Sequence, residues 1–312
     1  MQNVRYKENK SRKWLKITGV ILLLLFIAGG AYAYTVYKSL KTAVVTMHQP
    51  VVQREVPVKR EQPVVFEEKD PFSVLMLGVD QREGDKGRSD TIIVLTVNPN
   101  TNSVKMLSIP RDTRTEIVGK GTEDKINHAY AFGGVPMSMD TVEKFLNIPI
   151  DYYLQINMEG FKDIVDAVGG VKVQNDLDFI QDNFHFAKGE ITLNGEQALS
   201  FSRMRHKDPR GDFGRQSRQR KIIQAVINEG MSVSSLTNFS SIFTALGKNI
   251  RTNLTFDQMV DIQKNYKEAG KNIEQMEINE TGTMINKIYY GLVSPEEKQR
   301  IQTELRHQLE LQ

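Results

Sequence analysis

Residues Ile17 to Tyr37 form an uncharged run of 21 centred on Ile21-Leu-Leu-Leu-Leu-Phe-Ile27, and no other stretch constrains the fold so strongly. As a helix it crosses the roughly 30 Å hydrocarbon core of a bilayer. Arg5, Lys7, Lys10, Arg12, Lys13 and Lys16 precede it against the single acid Glu8, whereas only Lys38 and Lys41 follow closely. That asymmetry predicts a cytoplasmic N-terminus, with everything beyond Lys38 outside the cell. Trp14 on one flank and Tyr32, Tyr34 and Tyr37 on the other sit where interfacial aromatics belong. Ala31-Tyr-Ala33 offers a competing reading as a signal-peptidase site. The apolar run continues past it to Tyr37, which favours an uncleaved anchor. The expected organisation is a basic tail over 1–16, a transmembrane helix over 17–37, a stalk over 38–70 and an exported domain over 71–312.

The formal charge of +3 conceals a division. Met1 to Lys16 carries +5, so the rest of the chain, with 35 bases and 37 acids, is mildly acidic. Nucleic-acid binders rely on a broad positive field, so that class is a poor fit. The absence of cysteine removes disulfides and thiolate metal sites from consideration.

Pro50, Pro57 and Pro63 with repeated Val and scattered charge make 38–70 read as an extended stalk, with Val51-Val52 and Val64-Val-Phe66 as the alternative of a short edge strand. Beyond Pro71, Phe72–Val79, Asp90–Val97 and Ser103–Ile109 are apolar runs of strand length, the last two joined by Asn98-Pro-Asn-Thr-Asn102 turn chemistry. Lys125–Phe132, Met137–Leu146 and Met158–Val168 predict helices, closed in turn by Gly133-Gly134, Pro149 and Gly169-Gly170. Ile150–Ile156 reads as a strand between them. Asn194 is placed to cap a helix running to Phe201, and Asp212 to cap the next. Helices around Phe243, over Phe256–Ala269 and after Pro295, with a strand at Ile273–Ile278, complete the chain. Strands interleaved with helices predict an α/β class: a central mixed sheet flanked by helices, preceded by one transmembrane helix.

If the first three strands pair as neighbours, one sheet edge gathers Asp80, Asp90 and Arg111. Two nearby carboxylates repel unless a proton or cation lies between them, and Mg²⁺ or Mn²⁺ suits an oxygen set beside phosphate. Arginine's planar fork grips phosphate oxygens in pairs. Arg203 and Arg205 flank Met204, so an extended segment would point both the same way. On the helix from Asp212, Arg215, Arg218 and Gln219 fall at i, i+3 and i+4, with Ile222 and Val226 continuing nearly the same face. The blander alternative pairs each arginine with one of the nearby acids. No Gly-x-Ser-x-Gly elbow and no phosphate loop of the Gly-x-x-x-x-Gly-Lys type occurs, so serine-hydrolase and ATPase readings have no support. The five histidines lack metal-ligand spacing; His128 reads as a packing residue, while His206 could touch the cleft.

Seven segments occur in a fixed order: Leu77-Gly-Val-Asp80 with Arg82, Arg88-Ser-Asp90, Ser108-Ile-Pro-Arg-Asp112, Lys125-Ile-Asn-His-Ala-Tyr130, Leu193-Asn-Gly-Glu-Gln-Ala-Leu199, Arg203-x-Arg205, and Asp212-x-x-Arg215-x-x-Arg218-Gln219. Each is weak alone, but together they resemble the LytR-CpsA-Psr family of Gram-positive cell-envelope proteins, most closely over Pro71 to Ile227. The resemblance implies an α/β/α core and an enzyme that moves a glycopolymer such as wall teichoic acid from a polyprenyl-pyrophosphate carrier. The acceptor is a muramic acid hydroxyl of peptidoglycan, and polyprenyl phosphate leaves. It also implies an apolar tunnel for the isoprenoid tail and a divalent cation, Mg²⁺ or Mn²⁺, held by Asp80 and Asp90. Arg82, Arg88, Arg111, Arg203, Arg205, Arg215, Arg218 and Gln219 would hold the phosphates; Asp80, Arg111, Arg205 and Asp212 are the expected catalytic groups. Asp212 and Arg82 could instead only brace their neighbours. Two rivals remain: a membrane-tethered, non-catalytic binder of lipid-linked phosphate, and a pyrophosphatase in which water replaces the sugar hydroxyl.

Overall fold

The computed structural model describes residues 26–27, 30, 34–35, 37–38, 41–51, 60, 62–80, 87–230, 247 and 249–311. Most of the apolar run over 17–37, the loop holding Arg82, and the helix expected around Phe243 lie outside the described residues. Among the described residues no helix is long and apolar enough to cross a membrane.

Three antiparallel neighbours form the centre: β1 (Phe72–Asp80), β2 (Arg88–Asn98) and β3 (Ser103–Ser108). Asn98 accepts from the amides of Asn100 (2.8 Å) and Thr101 (3.2 Å), so its side chain builds the β2–β3 turn. Next come the hairpin β4 (Arg114–Ile117) and β5 (Thr122–Lys125), helix α1 (His128–Leu146) and strand β6 (Tyr152–Asn157). The two helices expected here are present as the two arms of α1, which meet at a kink where the sequence placed the break. Gly133 and Gly134 leave helical geometry, Gly134 at φ 63°, and Pro136 follows. Asn157 caps α2 (Met158–Ala167) by accepting from Gly160 N at 2.8 Å.

Four short strands follow, β7 (Val171–Asn175), β8 (Phe179–Gln181), β9 (Phe184–Phe186) and β10 (Gly189–Leu193), then α3 (Gly195–Arg203) and α4 (Asp212–Gly230). Asn194 closes a capping box with Gln197 at the start of α3, as its position predicts. β11 (Ile250–Thr252), α5 (Phe256–Asn265), β12 (Ile273–Glu277), the hairpin β13 (Glu280–Ile285) and β14 (Ile288–Val293), and α6 (Pro295–Gln308) end the chain.

The main sheet runs β11-β6-β1-β2-β3-β12, with β6 parallel to β1 and β12 parallel to β3, so it is mixed as expected. Period-two alternation sends Leu75, Leu77, Ile92 and Val94 to one face, where Met139, Val142 and Phe145 of α1 and Ile301 and Leu305 of α6 cover them. Phe72, Val74, Val97 and Val104 face the other way, toward Ile262 of α5 and Tyr266 just after it. A satellite core, with Val165, Val173, Phe179, Phe186, Phe201 and Ile222, joins α2, α3 and α4 to the small strands.

Part of the segment expected to be an extended stalk is folded onto the domain. Val44 and Met47, in helical residues 41–47, are buried against Ile250, and His48 bridges to Thr252. Arg60 donates from Nε to Asp151 Oδ1 at 2.7 Å. Val44 and Met47 stand three apart, a single helical turn too short to show a period beside the prolines that follow, which is why composition alone suggested a spacer.

Candidate active site

The cleft lies on the α4 side of the sheet, at the end where β1 finishes and β2 begins. Asp80, Asp90, Thr91, Arg203, Arg215 and Gln219 line its mouth. Asp90 reaches it through a β-bulge: Gly78 pairs with Thr91 and Val79 with Ser89, so Asp90 has no register partner. A bulge re-aims side chains that strict alternation would place on opposite faces, and here Asp90 and Thr91 both line the cleft. Arg111, beyond the end of β3, donates from Nη1 to Asp90 Oδ1 at 2.8 Å. The edge gathering Asp80, Asp90 and Arg111 is therefore as the sequence predicts.

The other wall is the start of α4. Asp212 opens the helix; its Oδ1 lies 2.8 Å from Arg215 Nη2 and 3.6 Å from Arg205 Nε, and its Oδ2 accepts from Gln216 Nε2 at 2.9 Å. It braces two arginines and its own helix. Arg203 is the last residue of α3, not part of an extended segment; the chain becomes extended only at Met204. Arg203 is exposed in the mouth, while Arg205 is held to one side by Asp212. Arg88 is exposed opposite Asp80 across the β1–β2 pair. His206 is exposed, and His128 pairs with Asp124 at 2.7 Å.

Arg218 does not face the cleft. Its Nη1 donates to Asp208 Oδ2 at 2.6 Å, its Nη2 to the Met204 carbonyl, and it lies over the Phe179 and Phe201 rings. At about 100° per residue Gln219 lies about 40° to one side of Arg215 and Arg218 about 60° to the other, so the two diverge and can reach different surroundings. Gln219 follows Arg215 into the cleft, and Arg218 turns into the satellite core. The same geometry corrects the apolar continuation: Ile223 and Ile227, at steps of four from Gln219, line the cavities, while Ile222 and Val226 pack in the satellite core.

Burial pulls the Arg215 guanidinium below its usual range, and the charges of Arg111 and Arg205 add to this against the pull of Asp212 and Asp90. For Arg111 burial acts the same way, but the Asp90 hydrogen bond and the charges of Asp90, Asp112 and Asp212 outweigh it, so its affinity for the proton is raised. These couplings place three arginines and their acids in one field. Arg215 Nε is buried without a hydrogen-bond partner among the described residues. A guanidinium that pairs with Asp212 through Nη2 and still has an N–H without a partner suits a further anionic group in the cleft.

Two further groups were missed. Asp208, fully buried, anchors Arg218 and Arg210, and Gly214 leaves room for its carboxylate. Glu280, on β13, faces the charges of Asp112 and Asp212, and burial pushes its carboxyl up to about 7. Asp208 offers a signal only in its place among arginines; Glu280, alone among polar residues, offers none.

Among the described residues no three His, Cys, Asp or Glu side chains cluster as a metal site. Asp80 and Asp90 are two hard oxygen donors, which fits Mg²⁺ or Mn²⁺ completed by water and substrate phosphate rather than by an all-protein cage.

Beyond the mouth the cleft turns apolar. Met76, Leu77, Ile93, Ile156, Phe161 and Ile223 line the rest of a cavity of about 210 Å³. A second cavity of about 310 Å³ lies against Val74, Leu95, Val97, Ile227, Leu254 and Ile262. On β1 the positions 80, 78, 76 and 74, on β2 the positions 91, 93, 95 and 97, and on α4 the positions 215, 219, 223 and 227 run from one to the other. One face of each element thus passes from polar to apolar.

The model of the LytR_cpsA_psr family matches residues 34–307. A Bacillus cereus protein named polyisoprenyl-teichoic acid–peptidoglycan teichoic acid transferase TagU is 55% identical over 296 residues, covering 95% of this chain and 97% of its own length. The crystal structure of B. subtilis TagU superposes with a TM-score of 0.64 at 51% identity, covering 78% of this chain and 99% of that one. TagT bound to LI-WTA superposes with a TM-score of 0.72 at 31% identity, over 85% of this chain and all of that one. With its motifs in register on the same fold, the chain belongs to the LytR-CpsA-Psr family.

Proposed function

We propose that this protein is a phosphotransferase that moves wall teichoic acid, or a similar anionic glycopolymer, from a polyprenyl-pyrophosphate carrier to a muramic acid hydroxyl of peptidoglycan. The observation that carries this reading is the run of aligned residues from a charged mouth into apolar cavities. A ligand that fits both ends has a phosphate head and a hydrocarbon tail. Transferase names among relatives at 50–55% identity point the same way.

In this reading Arg203, Arg215 and Gln219 hold the pyrophosphate, Arg111 and Arg205 approach from the rim, and Asp212 keeps the helix arginines oriented. Asp80 and Asp90 would hold Mg²⁺ or Mn²⁺, which when bound neutralises charge on the phosphate oxygens. Phosphoryl transfer asks a protein for positioning and charge stabilisation more than for covalent chemistry, and arginines in a partly desolvated cleft supply both. The carrier's own pyrophosphate link supplies the driving force. Arg218 contributes by locking α4 onto the satellite core.

The reading also takes residues 17–37 as a membrane anchor with the domain outside the cell. Tyr37, at the end of that run, packs edge-on against Phe256 at the start of α5, ring centres 5.4 Å apart. α5 also supplies Ile262 to the larger cavity, so the tail would lie beside the anchor.

The test uses the full-length protein in membranes with a polyprenyl-pyrophosphate-linked polymer and peptidoglycan strands. Polymer joined covalently to glycan is expected. Free phosphorylated polymer alone would replace transfer with hydrolysis, and tight binding without turnover would reduce the protein to a tethered binder.

A further inference from the structure

The hairpin β13–β14 lines neither cavity but lies within electrostatic reach of Asp212 at the start of α4 and Arg205 just after α3. It is fixed to the segment following Arg111: Gly291 N donates to the Asp112 carbonyl at 2.9 Å, and Gly291 bridges to Thr113. On the face of the hairpin shared by Glu280, Gly282, Met284, Tyr289 and Gly291, the two glycines are cross-strand partners. The Glu280 carboxylate lies over Gly291, where any Cβ would overlap it, and the Tyr289 hydroxyl lies over Gly282, 2.6 Å from where a Cβ would be. Two side chains thus occupy a floor built from two residues without them.

Glu280 Oε2 accepts from the buried Thr113 hydroxyl at 3.2 Å. The charged groups facing Glu280 are Asp112, after β3, and Asp212, at the start of α4. Tyr289 faces Glu280, Asp112 and Asp212 as well as Arg205, and stays 45% exposed beside exposed Met284, its cross-strand partner. The hairpin therefore presents a half-buried carboxylate and an open aromatic ring on the Arg205–Asp212 side of the mouth.

Resting on the transferase reading above, we propose that this face of the hairpin is the acceptor subsite, in which Tyr289 stacks on a glycan ring and Glu280 receives the proton of the attacking sugar hydroxyl. In-line displacement sets the rule. If the tail lies in the apolar cavities, polyprenyl phosphate departs toward them and the nucleophile enters from the opposite, outer side. The hydroxyl oxygen forms the new bond to the polymer-bearing phosphorus. The bridging P–O bond breaks, its electron pair leaves with polyprenyl phosphate, and the hydroxyl proton passes to the Glu280 carboxylate. A carboxylate with its proton affinity raised by burial and two neighbouring acids is a better base near neutral pH than an exposed one.

The experiment measures kcat against pH, and donor affinity separately, for the full-length protein, Glu280→Gln and Thr113→Val, with the lipid-linked polymer and peptidoglycan strands. Glu280→Gln should lower kcat by about 100-fold or more while donor affinity and melting temperature at pH 5 stay near those of the parent. Thr113→Val removes a hydrogen bond that favours the ionised carboxylate, so the acidic limb of its kcat profile should move to higher pH with the plateau retained. Unchanged kcat in Glu280→Gln, or an acidic limb that Thr113→Val leaves in place, would overturn the assignment while leaving the transferase reading intact. A parent protein that forms no glycan-joined product would overturn both.

Discussion

Arg218 Nη1 and Asp208 Oδ2 meet at 2.6 Å with side chains only 4% and 1% exposed. Removing one partner strands the other charge in the interior, which typically costs about 3–5 kcal/mol. Arg218→Ala should therefore lower the melting temperature by on the order of 10 °C. Arg215→Lys, whose side chain faces the cleft, should lose most transfer activity with a much smaller thermal change. Differential scanning calorimetry beside a transfer assay separates the two, and equal melting temperatures would contradict the buried role of Arg218.

Arg111 and Asp90 are joined across 21 positions of sequence, and Asp80 lies on the neighbouring strand. On the proposed reading Arg111→Lys should cut turnover severely, because a point charge does not reproduce a planar fork that holds Asp90 and would hold a phosphate as well. Asp80→Ala and Asp90→Ala should each abolish stimulation by Mg²⁺. Full activity of either aspartate variant in excess chelator would remove the cation from the scheme.

The apolar cavities make a prediction about chain length. Ile227→Trp places an indole in the 310 Å³ cavity, far from the charged mouth. It should weaken long-chain polyprenyl donors and leave a short-chain donor nearly unaffected, as read by KM for each. Equal effects on both would mean the tail lies elsewhere.

Glu280 links stability to pH with a definite sign. Its carboxyl titrates at about 7 in the fold against an ordinary 4.5, so between those values the folded chain holds a proton that the unfolded chain has released. Stability must fall as pH rises through that window, and the loss is complete above 7. Glu280→Gln, which stays neutral, should gain on the parent in urea midpoint at pH 8 and show little difference at pH 4. A gap that does not change with pH would place Glu280 in solvent.

The order of motifs, the period-two strands, the capping residue Asn194, and the pairing of Asp80, Asp90 and Arg111 at one edge were all legible in the string. Each depends on residues close in sequence, or on neighbouring strands joined by short turns. The charged mouth was legible because its residues belong to ordered motifs.

What the string withheld depends on direction and on distant contacts. A shift of one residue on α4 separates Arg218, buried with Asp208, from Gln219, open to the cleft. A one-residue bulge at Asp90 decides which face its carboxylate joins. Glu280 comes to the mouth only because a hairpin nearly 170 positions downstream docks on Thr113. Sequence by itself determined which chemistry the chain carries, since residue type and local periodicity fix charge and secondary structure. Tertiary packing decided which of those charges face the cleft and which are struts, because burial and partnership are properties of the assembled surface.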